Sequence, residues 1–235
     1  MKRPVRVALV VMVLMLALTP LCQAMPLSSQ INGTWYGKIK ADMGYGTASA
    51  TCYVTCEDGI ARFRAAGKVK SLTYTIVGNR LIVAGSLFGV AKDPEFTYSL
   101  DKKVTTLKLS TSYLNLFPVG AKLTKTAAKV SKASAGTPKV GRNKNVNISV
   151  NGVTEYVYMT KTDGTVIASS DTRQSNGRYV LYYDGWKRGY NYLYVYAGLY
   201  DAEGKRLVSK APGQVLDAAD KANVSKAYRI KVRVR

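Results

Sequence analysis

Turn signals at short intervals constrain the fold of this 235-residue chain more than any other feature. They separate short stretches in which apolar and polar residues alternate, a period that is typical of β-strands with one buried face. Short strands at this spacing predict an all-β protein. In the second half of the chain the signals are Asn151-Gly152, Asp163-Gly164, Asn176-Gly177 and Glu203-Gly204.

The first block, residues 25–125, predicts an antiparallel meander. Three hairpins are expected in it, because each pair of alternating stretches is joined by residues that tolerate a tight reversal. A meander of this kind closes most easily as a small barrel. The paired stretches are 48–56 with 60–66 through Glu57-Asp58-Gly59, 72–77 with 81–83 through Gly78-Asn79-Arg80, and 96–100 with 104–109 through Asp101-Lys102-Lys103.

The second block, residues 146–235, predicts a seven-stranded sandwich, because seven short strands fit in fewer than a hundred residues. Between the blocks, residues 126–145 contain five basic residues and no acidic or aromatic ones. That composition is typical of a linker. A short surface helix over residues 126–134 is the alternative. The predicted strands are 145–150, 155–160, 165–170, 178–183, 190–200, 206–209 and 227–234.

Two family resemblances follow from these patterns. Residues Asn32-Gly33-Thr34-Trp35-Tyr36 resemble the Gly-x-Trp opening of lipocalin-like domains, which implies a barrel with Trp35 at its base. Such a barrel either holds a small apolar ligand or is filled by its own side chains. In residues 182–204, Gly189 precedes a long predicted strand that ends in the turn Asp201-Ala202-Glu203-Gly204. In this the second block resembles bacterial immunoglobulin-like extracellular modules. This second resemblance implies only the sandwich architecture.

Residues 1–24 are interpreted as a secretory signal. A basic start at Lys2, Arg3 and Arg6 precedes an apolar run over residues 7–18, and small residues favour cleavage after Ala24. The alternative is a membrane anchor, for which the run is short. The mature chain is then expected to have no transmembrane segment and to be secreted, periplasmic or attached to the cell surface. Since the segment holds three basic residues and no acids, the net charge falls from +21 to +18.

The chain contains no histidine. A Ser-His-Asp triad, a Cys-His pair and the usual histidine-containing zinc sites are therefore excluded. Carboxylate pairs occur only in sequence that is typical of turns, so the chain is predicted not to be an enzyme and to need no metal or cofactor. These pairs are Asp93/Glu95, Asp201/Glu203 and Asp217/Asp220.

Cys52 and Cys56 are the two cysteines of the predicted mature chain. In a strand, residues four apart lie on one face about 13 Å apart, which is too far for a disulfide. The two residues are therefore either buried thiols on either side of Val54 or a local disulfide in a stretch that is not extended.

The candidate binding site combines tyrosines with cations. Tyr192, Tyr194 and Tyr196 share one face of a predicted strand. The last strand places basic residues on one face and apolar residues on the other; the basic residues are Arg229, Lys231 and Arg233. If the two strands are neighbours, these groups form a platform, extended by Trp186, Lys187 and Arg188 on the adjoining loop. Alternatively, Tyr–Arg pairs only stabilise a solvated sheet face.

The expected partner of this platform is an anionic or glycan-rich polymer of the cell envelope or of a host surface. Nucleic acid is not expected as a partner, because the signal segment directs the chain out of the cytoplasm. The sequence therefore predicts an exported, non-catalytic binding protein. Two alternatives stay open: a carrier of a small apolar ligand in the barrel, and a purely structural surface module.

Overall fold

The computed structural model describes residues 27–42, 47–65, 68–85, 95–98, 106–110, 121–138, 145–171 and 178–235. Within these ranges the protein is all-β, as predicted, with two helices of five residues. The helices are α1 (Leu27–Ile31) and α2 (Ala218–Ala222). The strands are β1 (Gly33–Asp42), β2 (Thr47–Glu57), β3 (Ile60–Ala65), β4 (Lys68–Val77), β5 (Arg80–Val83), β6 (Glu95–Thr97), β7 (Thr106–Leu109), β8 (Lys122–Thr126), β9 (Lys129–Ala135), β10 (Asn145–Val153), β11 (Tyr156–Thr160), β12 (Val166–Ser170), β13 (Arg178–Tyr182), β14 (Gly189–Gly198) and β15 (Tyr228–Val234).

Strands β1 to β8 form a closed antiparallel barrel in which each strand pairs with its neighbours in sequence. The barrel closes between the first and last strands, where Thr34 lies opposite Thr126 and Tyr36 lies opposite Thr124. Closure pairs both edges of the meander, so the barrel has no free edge. The predicted barrel in the first block is confirmed at this level.

Two of the three predicted hairpin turns lie within the described residues. Between β2 and β3, Asp58 and Gly59 have φ values of 46° and 80°, and two left-handed residues match the twist of the flanking strands. Between β4 and β5, Gly78 has a φ of 58° and Val77 pairs with Arg80. Strands β6 and β7 pair as expected, but their predicted turn at 101–103 lies outside the described residues.

The barrel interior is filled by side chains. Trp35 is fully buried on β1, and its indole Nε1 donates a hydrogen bond to the Ile31 carbonyl at 2.9 Å. Helix α1 therefore covers the end of the barrel at which Trp35 lies. The other buried residues of this core are Ile31, Cys52, Val54, Cys56, Ala61, Phe63, Ala65, Tyr74, Leu81, Val83, Phe96, Tyr98, Leu107, Leu109 and Leu123.

Cys52 and Cys56 are free thiols in this core. Both are fully buried on the inward face of β2, on either side of Val54. Burial raises the pKa of each thiol from 9.0 to about 12; the charge of Lys125 opposes this rise at Cys56 with a smaller effect. Of the two predicted alternatives, the structure therefore has the buried thiols and not the disulfide.

The second half of the described chain forms two sheets. Their strand orders are β13-β10-β9 and β12-β11-β14-β15. Alternate residues of both sheets bury their side chains in one shared core, which includes Ile148, Val157 and Val195. This two-sheet unit has seven strands, but they are not the seven predicted.

Strand β9 lies within the stretch predicted as a linker. It pairs with β10 and directs Ala133 into the core, with Val130 packed against the same core. Small side chains and lysines dominate the composition of β9, and this composition is also typical of a linker. Only Ala127 and Ala128 separate it from the last barrel strand.

Residues 206–209 were predicted as a strand, and this prediction is wrong. The backbone of Arg206 forms an isolated bridge with Tyr200 and no longer ladder, while the Val208 side chain packs on the outer face of the four-stranded sheet. A side chain supplies the hydrogen bond that a neighbouring strand would have supplied: the Tyr156 hydroxyl accepts from the Val208 N–H at 3.0 Å. An alternating pattern alone does not show whether the backbone is hydrogen-bonded to a neighbouring strand or to a side chain.

The Asn151-Gly152 turn is also wrong. Both residues lie inside β10, at an irregularity in its pairing with β9. Gly152 has a φ of 145°, and a Cβ there would lie 1.9 Å from the Lys129 carbonyl oxygen. The glycine therefore permits a bulge with a close backbone approach. Asp163-Gly164 and Glu203-Gly204 do form turns, and Asn176-Gly177 lies outside the described residues.

The barrel packs against the two-sheet unit through the outer surface of β2, β3 and β4. The Tyr53 hydroxyl lies 3.3 Å from both the carbonyl oxygen and the N–H nitrogen of Thr154. Ser71 Oγ donates to the Ala202 carbonyl at 3.4 Å. We call these contacts, with the ion pairs described below, the barrel–sheet interface. Among the described residues, neither helix has the length and apolar character needed to cross a membrane.

Candidate cationic binding face

Strands β14 and β15 are neighbours, which is the condition on which the predicted platform depended. Tyr190 lies opposite Arg233, Tyr192 opposite Lys231, and Tyr194 opposite Arg229. Because side chains alternate between the two faces of a strand, all of these groups project from the same face of the sheet. Leu193, Val195 and the apolar residues of β15 project into the shared core on the other side.

The cations lean diagonally over rings rather than directly across the strand pair. Lys231 Nζ lies 3.9 Å from the centroid of the Tyr190 ring and 5.8 Å from that of Tyr192. Arg229 Cζ lies 4.6 Å from the centroid of the Tyr192 ring. These distances are within the range of cation–π attraction. Each cation thus lies over the ring two residues before the tyrosine directly opposite it, so Tyr194 is not the ring beside Lys231.

We define the cationic face as Tyr190, Tyr192, Arg229, Lys231 and Arg233. The two rings are 58% and 44% exposed, and the three cations are exposed as well. Within the described part of the chain, none of these cations forms an ion pair with a carboxylate. Positive charge therefore recurs about every 7 Å along β15, and no carboxylate of the described residues neutralises it.

Tyr194 and Tyr196 are not on the open part of this sheet. Tyr196 is only 7% exposed, and Tyr194 packs against the same cluster. The segment after β14 covers this end of the sheet, and the Tyr158 hydroxyl holds it there by donating to the Val208 carbonyl at 2.7 Å. The predicted platform is wrong for these two tyrosines because the chain folds back over them.

Trp186 was also predicted on the platform, but it lies in the shared core. It is 6% exposed and packs edge-on against Tyr183, with ring centroids 5.0 Å apart. Its Nε1 has no hydrogen-bond partner among the described residues. Lys187 and Arg188 are exposed on the loop as expected, and the Asn191 amide donates to the Lys187 carbonyl at 2.7 Å.

Tyr190 is a member of the face that sequence reasoning missed. It lies two residues before Tyr192, so the same alternation would have included it. Its exposure and its distance to Lys231 make it the ring that is most closely associated with a cation. The face is therefore displaced by two residues toward the start of β14, relative to the prediction.

Glu155 is a second group that the sequence analysis missed, and it lies at the barrel–sheet interface. Its side chain is fully buried, and its Oε1 accepts from Arg62 Nη1 and from Arg64 Nη1, each at 3.2 Å. Its Oε2 accepts from the Tyr200 N–H at 2.9 Å. Arg62 Cζ also lies 4.9 Å from the centroid of the Tyr200 ring. The alternating pattern of β3 indicates that Arg62 and Arg64 point out of the barrel, but it does not indicate that Glu155 is their partner.

The carboxylate pairs weighed as catalytic candidates have structural contacts. Asp217 and Asp220 accept from each other's N–H at 2.9 Å and cap α2, and Lys210 Nζ lies 3.0 Å from Asp220. Asp201 accepts from the Lys205 N–H at 2.8 Å across the turn at Gly204. Glu95 pairs with Arg80 at 3.5 Å, and Asp93 lies outside the described residues. Over the described ranges, no cluster of three or more ligating side chains is placed to hold a metal ion.

Comparisons with known proteins found no match to this chain among protein-family models, curated proteins or solved structures. Any functional assignment therefore depends on the contacts of the chain's own residues.

Proposed function

We propose that the chain is an exported, non-catalytic binding protein that recognises an anionic polymer of the cell envelope or of a host surface. The observation that carries this proposal is the row of three exposed cations on β15, without a carboxylate partner in the described residues, beside two exposed tyrosines. The cationic face is the contact surface. Lys187 and Arg188 add positive charge on the loop that leads into β14.

Charge density supports a polymer as the partner. Cations two residues apart on one strand repel each other, and that repulsion is relieved when an anion neutralises them. From Arg229 to the exposed Arg235 the chain advances six residues, or about 20 Å at about 3.4 Å per residue. A linear polyanion can contact the whole row at once, whereas a single small anion reaches only part of it.

The same proposal includes the finer architecture. We propose that the two-sheet unit is an immunoglobulin-like sandwich. Strands β9, β10 and β13 form one sheet, and strands β11, β12, β14 and β15 form the other. The chain thus crosses between the two sheets more than once, which supports a Greek-key sandwich. The position of Trp35 on the first strand of an eight-stranded meander supports a lipocalin-like barrel. Export depends on residues 1–24, which lie outside the described residues.

Dextran sulfate and uncharged dextran test this function, because the two polymers differ only in charge. We expect the mature protein to bind dextran sulfate at about 0.05 M salt, to release it at about 0.5 M salt, and not to bind dextran. The triple variant R229Q/K231Q/R233Q should weaken binding about 10- to 100-fold, at about 0.5–1 kcal/mol for each lost contact.

The matched control is K38Q/K108Q/K122Q, which removes the same charge from exposed lysines on the barrel strands β1, β7 and β8. We expect it to retain binding within about threefold, since only long-range attraction is reduced. Equal losses in the two triple variants would show that binding is non-specific. No binding by the wild-type protein would favour the structural module, and a co-purifying apolar ligand in native mass spectra would favour the carrier.

A further inference from the structure

We infer that Tyr190 and Tyr192 are positioning residues: they hold Lys231 and Arg229 in place for the ligand and do not stack on it. The face then selects linear polyanions by charge and does not select glycans by their apolar sugar faces. This inference rests on the proposed function of the same face. It assigns the rings and the cations different roles.

Occupied ring surfaces are the first argument. Stacking of a sugar requires an open aromatic face, but Lys231 lies 3.9 Å from the Tyr190 centroid. At Tyr192, Arg229 approaches to 4.6 Å and Lys231 to 5.8 Å. A sugar that stacked on the same ring faces would have to displace these cations and lose their attraction to the rings. An anion can instead approach each cation from the solvent side while the cation stays over its ring.

Side-chain freedom is the second argument. Lysine and arginine side chains on an open strand sample many rotamers, and a ligand that fixes them must overcome that freedom. A cation already held over a ring has lost much of it before the ligand arrives. Each Tyr–cation pair is expected to raise polyanion affinity about 2- to 5-fold through this preorganisation.

The position of the face in the fold is the third argument. Strand β14 is central in its sheet, with β11 on one side and β15 on the other, so the two rings project from a fixed backbone. Leu193 and Val195 anchor the opposite face of the same strand in the shared core. Groups on a rigid element place charges more reproducibly than groups on a loop.

Two double variants test the inference with dextran sulfate as the probe. Y190F/Y192F keeps both rings, and we expect its affinity to stay within about twofold of wild type. Y190L/Y192L removes the rings but no charge, and we expect a loss of about 5- to 25-fold. The slope of affinity against salt should be the same in both, because the number of cations is unchanged. Y182L is the matched control, since Tyr182 is 56% exposed on β13 of the other sheet.

Nuclear magnetic resonance supplies a readout that a general loss of stability would not mimic. The ε-methylene protons of Lys231 should show an upfield ring-current shift in wild type and Y190F/Y192F, and lose it in Y190L/Y192L. Equal binding by the Leu and wild-type proteins would overturn the positioning role while leaving the proposed function intact. Binding of uncharged dextran that the Leu variant loses would overturn it in favour of stacking. If wild type does not bind dextran sulfate at all, the proposed function itself is wrong.

Discussion

Two Arg–Tyr pairs in this molecule have nearly the same distance between cation and ring and very different surroundings. At the barrel–sheet interface, Arg62 lies 4.9 Å from the Tyr200 ring centroid, and at the cationic face Arg229 lies 4.6 Å from that of Tyr192. In the first pair Arg62 is buried and Tyr200 is half-buried, and the adjacent Glu155 neutralises Arg62. The second pair is exposed, and no carboxylate of the described chain neutralises it.

The difference indicates that the carboxylate, and not the ring, decides what the cation does. Glu155 has no contact with solvent and shares its Oε1 between Arg62 and Arg64, so the interface satisfies these charges internally. Such a group fixes how the barrel meets the two-sheet unit, because each member needs the others in place. Arg229 and Lys231 have the same attraction to a ring but keep their charge available to solvent.

The largest expected effect comes from removing the carboxylate at the interface. E155Q keeps the shape of the side chain but leaves two arginines, one of them buried, without a counter-charge. We expect the free energy of unfolding to fall by about 3–5 kcal/mol, as for other buried pairs that lose one partner. Urea unfolding monitored by circular dichroism measures this change.

The control for this variant is E203Q. Glu203 pairs with Lys205 at 2.6 Å, but its side chain is 61% exposed, so we expect a loss below about 1 kcal/mol. If E155Q is as mild as E203Q, the interface tolerates uncompensated charge. Neutralisation by Glu155 would then not be what distinguishes the Arg62–Tyr200 pair from the Arg229–Tyr192 pair.

Arg206 is an intermediate case. Its Cζ lies 5.0 Å from the Tyr156 ring centroid, and its Nη2 lies 3.1 Å from Asp171, whose side chain is 51% exposed. The Tyr200 hydroxyl also donates to Asp171 at 3.1 Å. Partial burial opposes ionisation of this carboxyl, but the two hydrogen bonds and the charge of Arg206 together outweigh it. The pKa of Asp171 is therefore held below its ordinary value of 3.8.

A lowered carboxyl pKa contributes stability at pH values above 3.8 and loses that contribution as the pH falls through the folded-state pKa. We expect D171N to be less stable than wild type at pH 7, with the difference shrinking as the pH falls below 3.8 and through the lower folded-state pKa of Asp171. Urea midpoints of both proteins at pH 7, 4 and 2.5 measure this convergence. A difference that stays constant over this range would show that Asp171 acts through shape and not through charge.

Sequence patterns predicted much of the fold because β-strands follow a local rule. The alternation in β3, with Ala61 and Phe63 inward and Arg62 and Arg64 outward, follows directly from the period of two. The two positive-φ turns at Gly59 and Gly78 are equally local. The order of the barrel strands then follows from the tendency of sequential strands to pair with each other.

Non-local contacts explain what the sequence did not predict. Tyr192 and Tyr196 occupy equivalent positions in the alternation, yet only Tyr196 is covered by a segment that returns from beyond residue 199. Strand β9 depends on a partner that follows a stretch of polar residues, and Glu155 depends on arginines about 90 positions earlier. Composition and periodicity contain no information on these contacts between residues that are distant in the sequence.

The smallest expected effect on stability comes from the open pair. R229Q removes a cation that attracts an exposed ring, so we expect the free energy of unfolding to change by only about 0.5–1 kcal/mol. The same variant should lose several-fold in dextran sulfate affinity, because the charge that it removes is directed to solvent. At Glu155 we expect the opposite combination, with a large loss of stability and no direct contact with the polymer. If R229Q destabilises the protein as much as E155Q does, Arg229 has a structural role, and the open pair is not a binding surface.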